Sequence, residues 1–348
     1  MEVFKISKIK IAQIGTGHDH AHEAFKVLKR MSDIYEIVGY AVLPNDSLNM
    51  KELHYENHKG VYEGYSQLTV DEILNYEGLD AVVIEAEDRE LTKYAIMAAE
   101  KGLAIHMDKP GGISDEDYDK LIDIVSEKKL VFHTGYMYRY NPAIMKLKED
   151  IKAGKLGDII SVEAQMNCYH KLEKRDWLKD YPGGMLYFLG CHMVDIVYSI
   201  MGEPLEVIPL SCSSGVGETK AEDFGMAALK YENGLSIAQS TAIEYGGFER
   251  RQVVVVGTKG TVEICPLEWA DFSYKNIYCP LFSSVREAFS QEWHKKAERY
   301  NTEVYGRYDA MFEAFGDYVL GNKQNPFDYE YERKLHKLIL KACGENVK

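Results

Sequence analysis

The chain lacks any pair of cysteines at Cys-x-x-Cys spacing; its six cysteines (168, 191, 212, 265, 279 and 343) are scattered. That excludes a zinc ribbon or a disulfide framework, and it leads us to expect reduced cysteines in a cytoplasmic protein. No apolar run approaches the length of a bilayer span. Positive charge is scarce, with 41 Lys and Arg against 55 Asp and Glu and a net charge of −14. This excludes the basic footprint that nucleic-acid backbones or anionic membrane surfaces require. The first ten residues are interrupted by charges and run into a strand, so no signal peptide is expected. Internal repeats and low-complexity linkers are also missing. What remains is a 348-residue chain with 46% hydrophobic and 28% charged residues, enough for two domains with a large core. Its 25 tyrosines suit a wet cleft or an interface.

The first third alternates strands and helices. Lys8 to Ile14 reads as a strand, Gly15-Thr16-Gly17-His18-Asp19-His20 as a turn, and Ala21 to Met31 as a helix with Ala24, Val27, Leu28 and Met31 on one face. Strand, glycine turn and helix begin a dinucleotide-binding unit, in which the glycines let a pyrophosphate approach the helix N-terminus. His20 stands where that fingerprint has its third glycine. Histidines 18, 20 and 22 alternate, but residues two apart on a helix face different ways, so no metal site is expected. The second strand, Glu36 to Val42, ends in Val42-Leu43-Pro44 without the usual ribose-binding acid; Asp46 is the substitute candidate, and no arginine is at hand for a 2′-phosphate. NAD is therefore expected, with NADP not excluded. A helix over Val70 to Tyr76 and a buried strand over Asp80 to Ile84 follow, the strand closed by Glu85-Ala86-Glu87-Asp88. Next come a helix over Leu91 to Lys101, the strand Leu103-Ala104-Ile105, the turn His106 to Gly112, a helix from Ser114 to Lys128 and a strand at Leu130 to His133. Such alternation predicts a doubly wound parallel sheet over residues 1–134. Lys109, after Asp108 and before Pro110, then lies at the carboxyl end of a strand, where such sheets bind ligands.

From about residue 135 the pattern changes. A helix over Ala143 to Ala153 precedes stretches that alternate apolar and polar residues: Ile159 to Tyr169, Met226 to Tyr231, Leu235 to Ile243, Gln252 to Val256 and Thr261 to Cys265. They predict an α+β domain over 135–348 with a large, mainly antiparallel open sheet, helical again over Tyr308 to Leu320 and Tyr329 to Cys343. An open sheet face suits subunit pairing, so a homodimer or homotetramer is expected. Within this domain Pro182-Gly183-Gly184 opens a helix that places Phe188, His192 and Asp195 on one face. An imidazole there is a candidate proton acceptor.

Taken in order, these residues resemble the Gfo/Idh/MocA oxidoreductases, relatives of glucose-fructose oxidoreductase and inositol dehydrogenase. The resemblance covers nearly the whole chain. It rests on Gly15-Thr16-Gly17, on Asp108-Lys109-Pro110 for the family's Glu-Lys-Pro, and on Tyr138-Arg139-Tyr140-Asn141-Pro142. It continues in Trp177 followed by Gly183-Gly184, in Leu189-Gly190-Cys191-His192 with Asp195, and in Val256-Gly257 through Ile264. It implies a Rossmann domain followed by an α/β domain whose sheet mediates oligomers. NAD(P) would be held by Gly15, Thr16, Gly17, His18, Asp19, His20, Asp46, Asp108, Lys109 and Pro110. The substrate would be a sugar, polyol or related carbohydrate, met by Arg139, Tyr140, Asn141, His170, Trp177, His192 and Tyr245. Lys109 would contact the nicotinamide ribose and the reacting hydroxyl, and His192 would take the proton. Where the family often has an Asp four residues before the histidine, this chain has Phe188, and Asp195 is the candidate to orient His192 instead. The resemblance implies a dehydrogenase acting on CH–OH groups. It also allows a redox-neutral lyase, epimerase or glycosidase that oxidises its substrate transiently, or a non-catalytic ligand-binding relative.

Overall fold

In the computed structural model, residues 8–46, 55–270, 277–278, 282–285 and 297–347 are described. Cys279 lies outside the described residues. The chain divides into two compact units, one of residues 1–135 and 308–336 and one of residues 136–307 and 337–348.

The first unit is built on five parallel strands: β1 (Ile9–Ile14), β2 (Tyr35–Ala41), β3 (Ala81–Ile84), β4 (Ala104–Met107) and β5 (Phe132–Thr134), in the order β2-β1-β3-β4-β5. β3 is buried at every position, as a strand covered on both faces must be. Helices Ala21–Arg30, Leu91–Glu100 and Asp115–Glu127 make the crossovers. The last of these starts where Ser114 Oγ accepts the Asp117 N–H at 3.1 Å. Strand order reverses between β1 and β3, so the loops after them flank the crevice in which such sheets take ligands. Helix Asp309–Val319 returns to this unit and lays Phe312 and Phe315 against His106.

Among the described residues, the large sheet of the second unit has eight strands. Their order is 298–300, 282–285, β11 (Gly260–Ile264), β10 (Gln252–Gly257), β6 (Ile159–Gln165), β9 (Gly234–Thr241), β8 (Phe224–Tyr231) and β7 (Glu206–Pro209). Among its described strands only β6 and β9 pair in parallel. Burial alternates along β8 and β9, the signature of one covered face. Helix Cys191–Met201 packs on β6 and β9. The expected doubly wound sheet and large, mainly antiparallel sheet are both present. β7, strand 298–300 and the short helix Leu172–Trp177 carry no periodic signal and are additions to the expected elements. No helix among the described residues is long and apolar enough to cross a membrane.

Candidate functional sites

In the first unit the glycine turn is tight because it must be. Gly15 has φ +96°, and a Cβ there would stand 2.5 Å from the Ala86 nitrogen. The turn's amides face inward. Gly17 and His18 donate to the Glu85 carbonyl at 3.1 and 3.0 Å, and Thr16 donates its N–H to Asp46 Oδ2 at 2.7 Å. The same oxygen accepts Thr16 Oγ1 at 2.9 Å and the Leu43 N–H at 2.7 Å. Asp46 thus ties the turn to the end of β2, and burial pushes its carboxyl up to about 6. That bracing role explains its position better than the ribose contact its place in sequence suggested.

At the ends of β3 and β4 lies a buried charged cluster. Asp108 Oδ1 accepts the Lys109 N–H at 2.6 Å, and Oδ2 stands 3.0 Å from His20 Nδ1 and 3.2 Å from His18 Nδ1. His18 Nε2 donates to the Lys109 carbonyl at 3.1 Å. Burial alone would raise Asp108, but the imidazoles of His18 and His20 outweigh it and hold this carboxyl well below the usual range. Burial would depress His18, yet Asp108 and Asp88 hold it well above the usual imidazole value. Glu85 is pushed well up, by burial first and by Asp108 second. Lys109 is 1% exposed and precedes a cis bond to Pro110. The helix begins only at Ala21, so the argument from helical spacing does not bear on His18 and His20. His22 is apart from them, stacked on His58 at 3.9 Å.

Beyond the end of β2 is a cavity of about 580 Å³ lined by Val42, Leu43, Pro44, Gln67, Leu68, Thr69, Val70, Glu72 and Tyr94. Its volume is that of a small-molecule site, and its mix of apolar side chains with Gln67, Thr69 and Glu72 offers partners for both the ring and the hydroxyls of an adenosine. The residues present therefore fit the adenosine half of a dinucleotide. Among the described residues no Lys or Arg lines this cavity and Glu72 does, a charge pattern hostile to a 2′-phosphate.

In the second unit Gly183 and Gly184 both have positive φ, and a Cβ on Gly184 would stand 2.3 Å from the Glu222 carbonyl oxygen. The chain then makes a π-helical turn, Leu186–Gly190, before helix Cys191–Met201. Such widened turns are frequent at functional sites. His192 is 1% exposed, with Tyr136 and Tyr138 edge-on to its ring at 5.7 and 5.4 Å. Asp195 does not supply the expected orienting carboxylate. Arg139 engages it through Nε–Oδ2 at 3.1 Å and Nη2–Oδ1 at 2.9 Å, both side chains buried. Arg139 is also stacked over Tyr136 at 4.6 Å. Asn141 caps helix Pro142–Lys152, its Oδ1 accepting the Ala143 and Ile144 N–H groups at 2.9 and 3.2 Å. Tyr140 lies half-buried beside that cap. His170 and Trp177 flank Phe188, at 6.3 and 5.3 Å between ring centroids. Tyr245 stands in the open, 80% exposed and stacked on Tyr169 at 4.3 Å.

Two side chains here carried no motif in the sequence. Buried Lys174 places Nζ 3.8 Å from the Trp177 ring centroid and 4.2 Å from that of Phe188. Buried Glu268 accepts the Tyr138 hydroxyl at 2.7 Å and Arg251 at 3.0 Å, and pairs with Arg307. Burial would raise Glu268, but Arg307 and Arg251 outweigh it and hold the carboxyl low. Glu268 so fixes Tyr138, one of the rings that bracket His192.

Residues 144–263 match the GFO/IDH/MocA C-terminal domain. The chain is 24% identical over 206 residues to 2,7-anhydro-N-acetylneuraminate hydratase of Escherichia coli, covering 56% of this chain and 54% of that protein. It is 24% identical over 217 residues to 1,5-anhydro-D-fructose reductase of Ensifer adhaerens, covering 60% and 63%. These matches thus span little more than half of either relative. Among solved structures, the WlbA dehydrogenase of Bordetella pertussis, in complex with NADH and UDP-GlcNAcA, has the same fold, with a TM-score of 0.74 at 16% identity over 98% of both chains.

Proposed function

We propose that the chain is a Gfo/Idh/MocA oxidoreductase that transfers a hydride between a secondary alcohol of a sugar, polyol or related carbohydrate and a nicotinamide dinucleotide, NAD in preference to NADP. The cavity beyond β2 carries this reading: it has the size for an adenosine, and its described lining holds no cation for a 2′-phosphate. Its walls, Val42 to Pro44, Gln67 to Val70, Glu72 and Tyr94, would hold that end of the cofactor. The nicotinamide, when bound, supplies the hydride chemistry.

The protein's own part is positional and electrostatic. Lys109, fixed at the end of β4, stabilises negative charge on the reacting oxygen through its ammonium. His192 accepts the hydroxyl proton. Tyr136 and Tyr138 stand edge-on to its ring, and Glu268 holds Tyr138. Trp177, Phe188 and His170 offer ring faces of the kind that sugars stack on, with Lys174 among them. Denaturing the purified protein and identifying any released nucleotide, then following absorbance at 340 nm across sugars and polyols, tests the reading. Neither released nor bound NAD, with silence across the panel, would reject it.

One observation favours a redox-neutral variant in which the dinucleotide stays bound. Phe188 leaves the helix face of His192 without the family's carboxylate, and a relative is named for hydration chemistry. Turnover of a substrate without net NADH would select it. We further propose a homo-oligomer formed through the eight-stranded sheet, because Ile160, Leu205, Ile208, Leu210 and Leu235 on or beside its strands are exposed. Light scattering on the eluting protein checks the mass.

A further inference from the structure

We infer that the carboxyl ends of β1, β3 and β4 hold a divalent transition-metal ion, bound by His18 Nδ1, His20 Nδ1 and Asp108 Oδ2 with the Glu85 carboxylate beside them. This goes beyond the proposed dehydrogenase reading and does not depend on it.

The spacing is that of ligands around one ion. The three donor atoms lie within 4.8 Å of one another. Asp108 Oδ2 is 3.0 Å from one imidazole nitrogen and 3.2 Å from the other. Ligands at the usual zinc distances on a tetrahedron stand roughly 3.3 Å apart.

The tautomer is set from behind. His18 Nε2 faces the Lys109 carbonyl at 3.1 Å, and a carbonyl only accepts, so the proton belongs on Nε2. Support of a ligating imidazole by a carbonyl on its far nitrogen is the usual arrangement at metal sites. Nδ1 is then left with a lone pair pointing at a carboxylate oxygen, a repulsive meeting unless a cation lies between them. Nδ1 also accepts the His20 N–H at 3.2 Å, a long contact that the ion would displace.

Charge points the same way. Glu85 and Asp88 are fully buried, and no hydrogen bond reaches any of their carboxylate oxygens. Glu85 Oε2 lies 3.6 Å from His18 Nδ1, and Asp88 Oδ1 lies 3.6 Å from His18 Nε2. With Asp108 they bring three carboxylates around the two imidazoles. A dication there would stabilise the ionised forms that burial disfavours. Two imidazoles with carboxylates suit Zn²⁺, Fe²⁺, Co²⁺ or Ni²⁺ better than Mg²⁺ or Ca²⁺. The rival is a second proton on His18, making an imidazolium–carboxylate pair with Asp108.

Calorimetric titration of the chelator-treated full chain with Zn²⁺, and its visible spectrum with Co²⁺, decide between them without substrate or nicotinamide. One ion per chain is expected, with the d–d bands of a low-coordinate Co²⁺ site and a higher melting temperature. His20→Ala, at the partly exposed edge, should weaken binding about 10- to 100-fold while the apoprotein melts as wild type does. Asp108→Asn should weaken it as well, whereas His22→Ala should bind normally. No stoichiometric binding by the wild type, or equal binding by wild type, His20→Ala and Asp108→Asn, overturns the proposal in favour of the imidazolium pair.

Discussion

Around Lys109 the buried neighbours are carboxylates and imidazoles, whereas around His192 they are rings. Glu85, Asp88, Asp108, His18 and His20 crowd the end of the parallel sheet. His192 instead has Tyr136 and Tyr138 at its edges, with the charges of that unit neutralised in pairs: Asp195 by Arg139, and Glu268 by Arg251 and Arg307. The two regions place their groups by different means. Loops after parallel strands gather charge, because every strand of the sheet delivers its carboxyl end to the same edge. A helix lying on an antiparallel sheet buries its inner face, so charge there must be paired or replaced by aromatic area.

Breaking the charged side should have the largest effect. Lys109→Ala is expected to lower turnover by about 10²–10³, as does loss of a group that stabilises charge only in the transition state. Near-normal kcat in a folded variant would remove Lys109 from the chemistry. On the aromatic side the largest effect should be structural. Asp195→Ala removes the buried carboxylate that the Arg139 guanidinium pairs with, which should cost about 3–5 kcal/mol in denaturant unfolding. If Asp195 were instead the partner of His192, the variant would shift the pH profile of kcat with little change in stability, and the comparison would collapse.

How far each region could be read from the sequence follows the same division. The strands, the glycine turn and Lys109 were legible, because buried parallel strands print themselves as apolar runs and Gly and Pro mark their ends. The alternating strands of the second sheet were legible for the same local reason. Long-range pairing is what the sequence withheld. Asp46 lies next to the end of β2 in sequence, and only the fold shows that its carboxylate binds Thr16, 30 residues away. Asp195 shares a helix face with His192, yet its partner is Arg139, 56 residues distant. Lys174 and Glu268 sit in no periodic pattern at all, and nothing local separates them from solvated charges.

Asp46 supplies a test by pH. Burial raises its folded pKa from the ordinary 3.8 to about 6. The folded state therefore binds the proton more tightly than the unfolded chain. The stabilisation this gives is fully present below pH 4 and is lost as pH rises through 6, by up to about 3 kcal/mol. The accepted bonds to Thr16 and Leu43 all go to Oδ2, so the single carbonyl oxygen of an Asn can take that place. Asp46→Asn should then be flatter in stability between pH 4 and 7, seen as the wild-type minus variant difference in urea unfolding. An unchanged slope would mean that the carboxylate is stable as the anion, and the charged edge less strained than its burial implies.

The smallest effect, and the sharpest for the cofactor reading, concerns Glu72. Its Oε2 accepts the Thr69 N–H at 2.7 Å and Oγ1 at 2.9 Å, closing a capping box at the start of helix Val70–Leu74 while the residue lines the cavity. Its anion should repel a 2′-phosphate and leave a 2′-hydroxyl undisturbed. Glu72→Gln keeps the capping geometry and removes only the charge, so it should ease NADP binding with NAD binding unchanged. Glu72→Arg should shift the NADP-to-NAD affinity ratio about tenfold, or about 1.4 kcal/mol, at the expense of the cap. Dissociation constants for both dinucleotides across the three proteins give the ratio directly. A ratio that does not move in either variant places the adenosine outside this cavity, and with it the basis for preferring NAD.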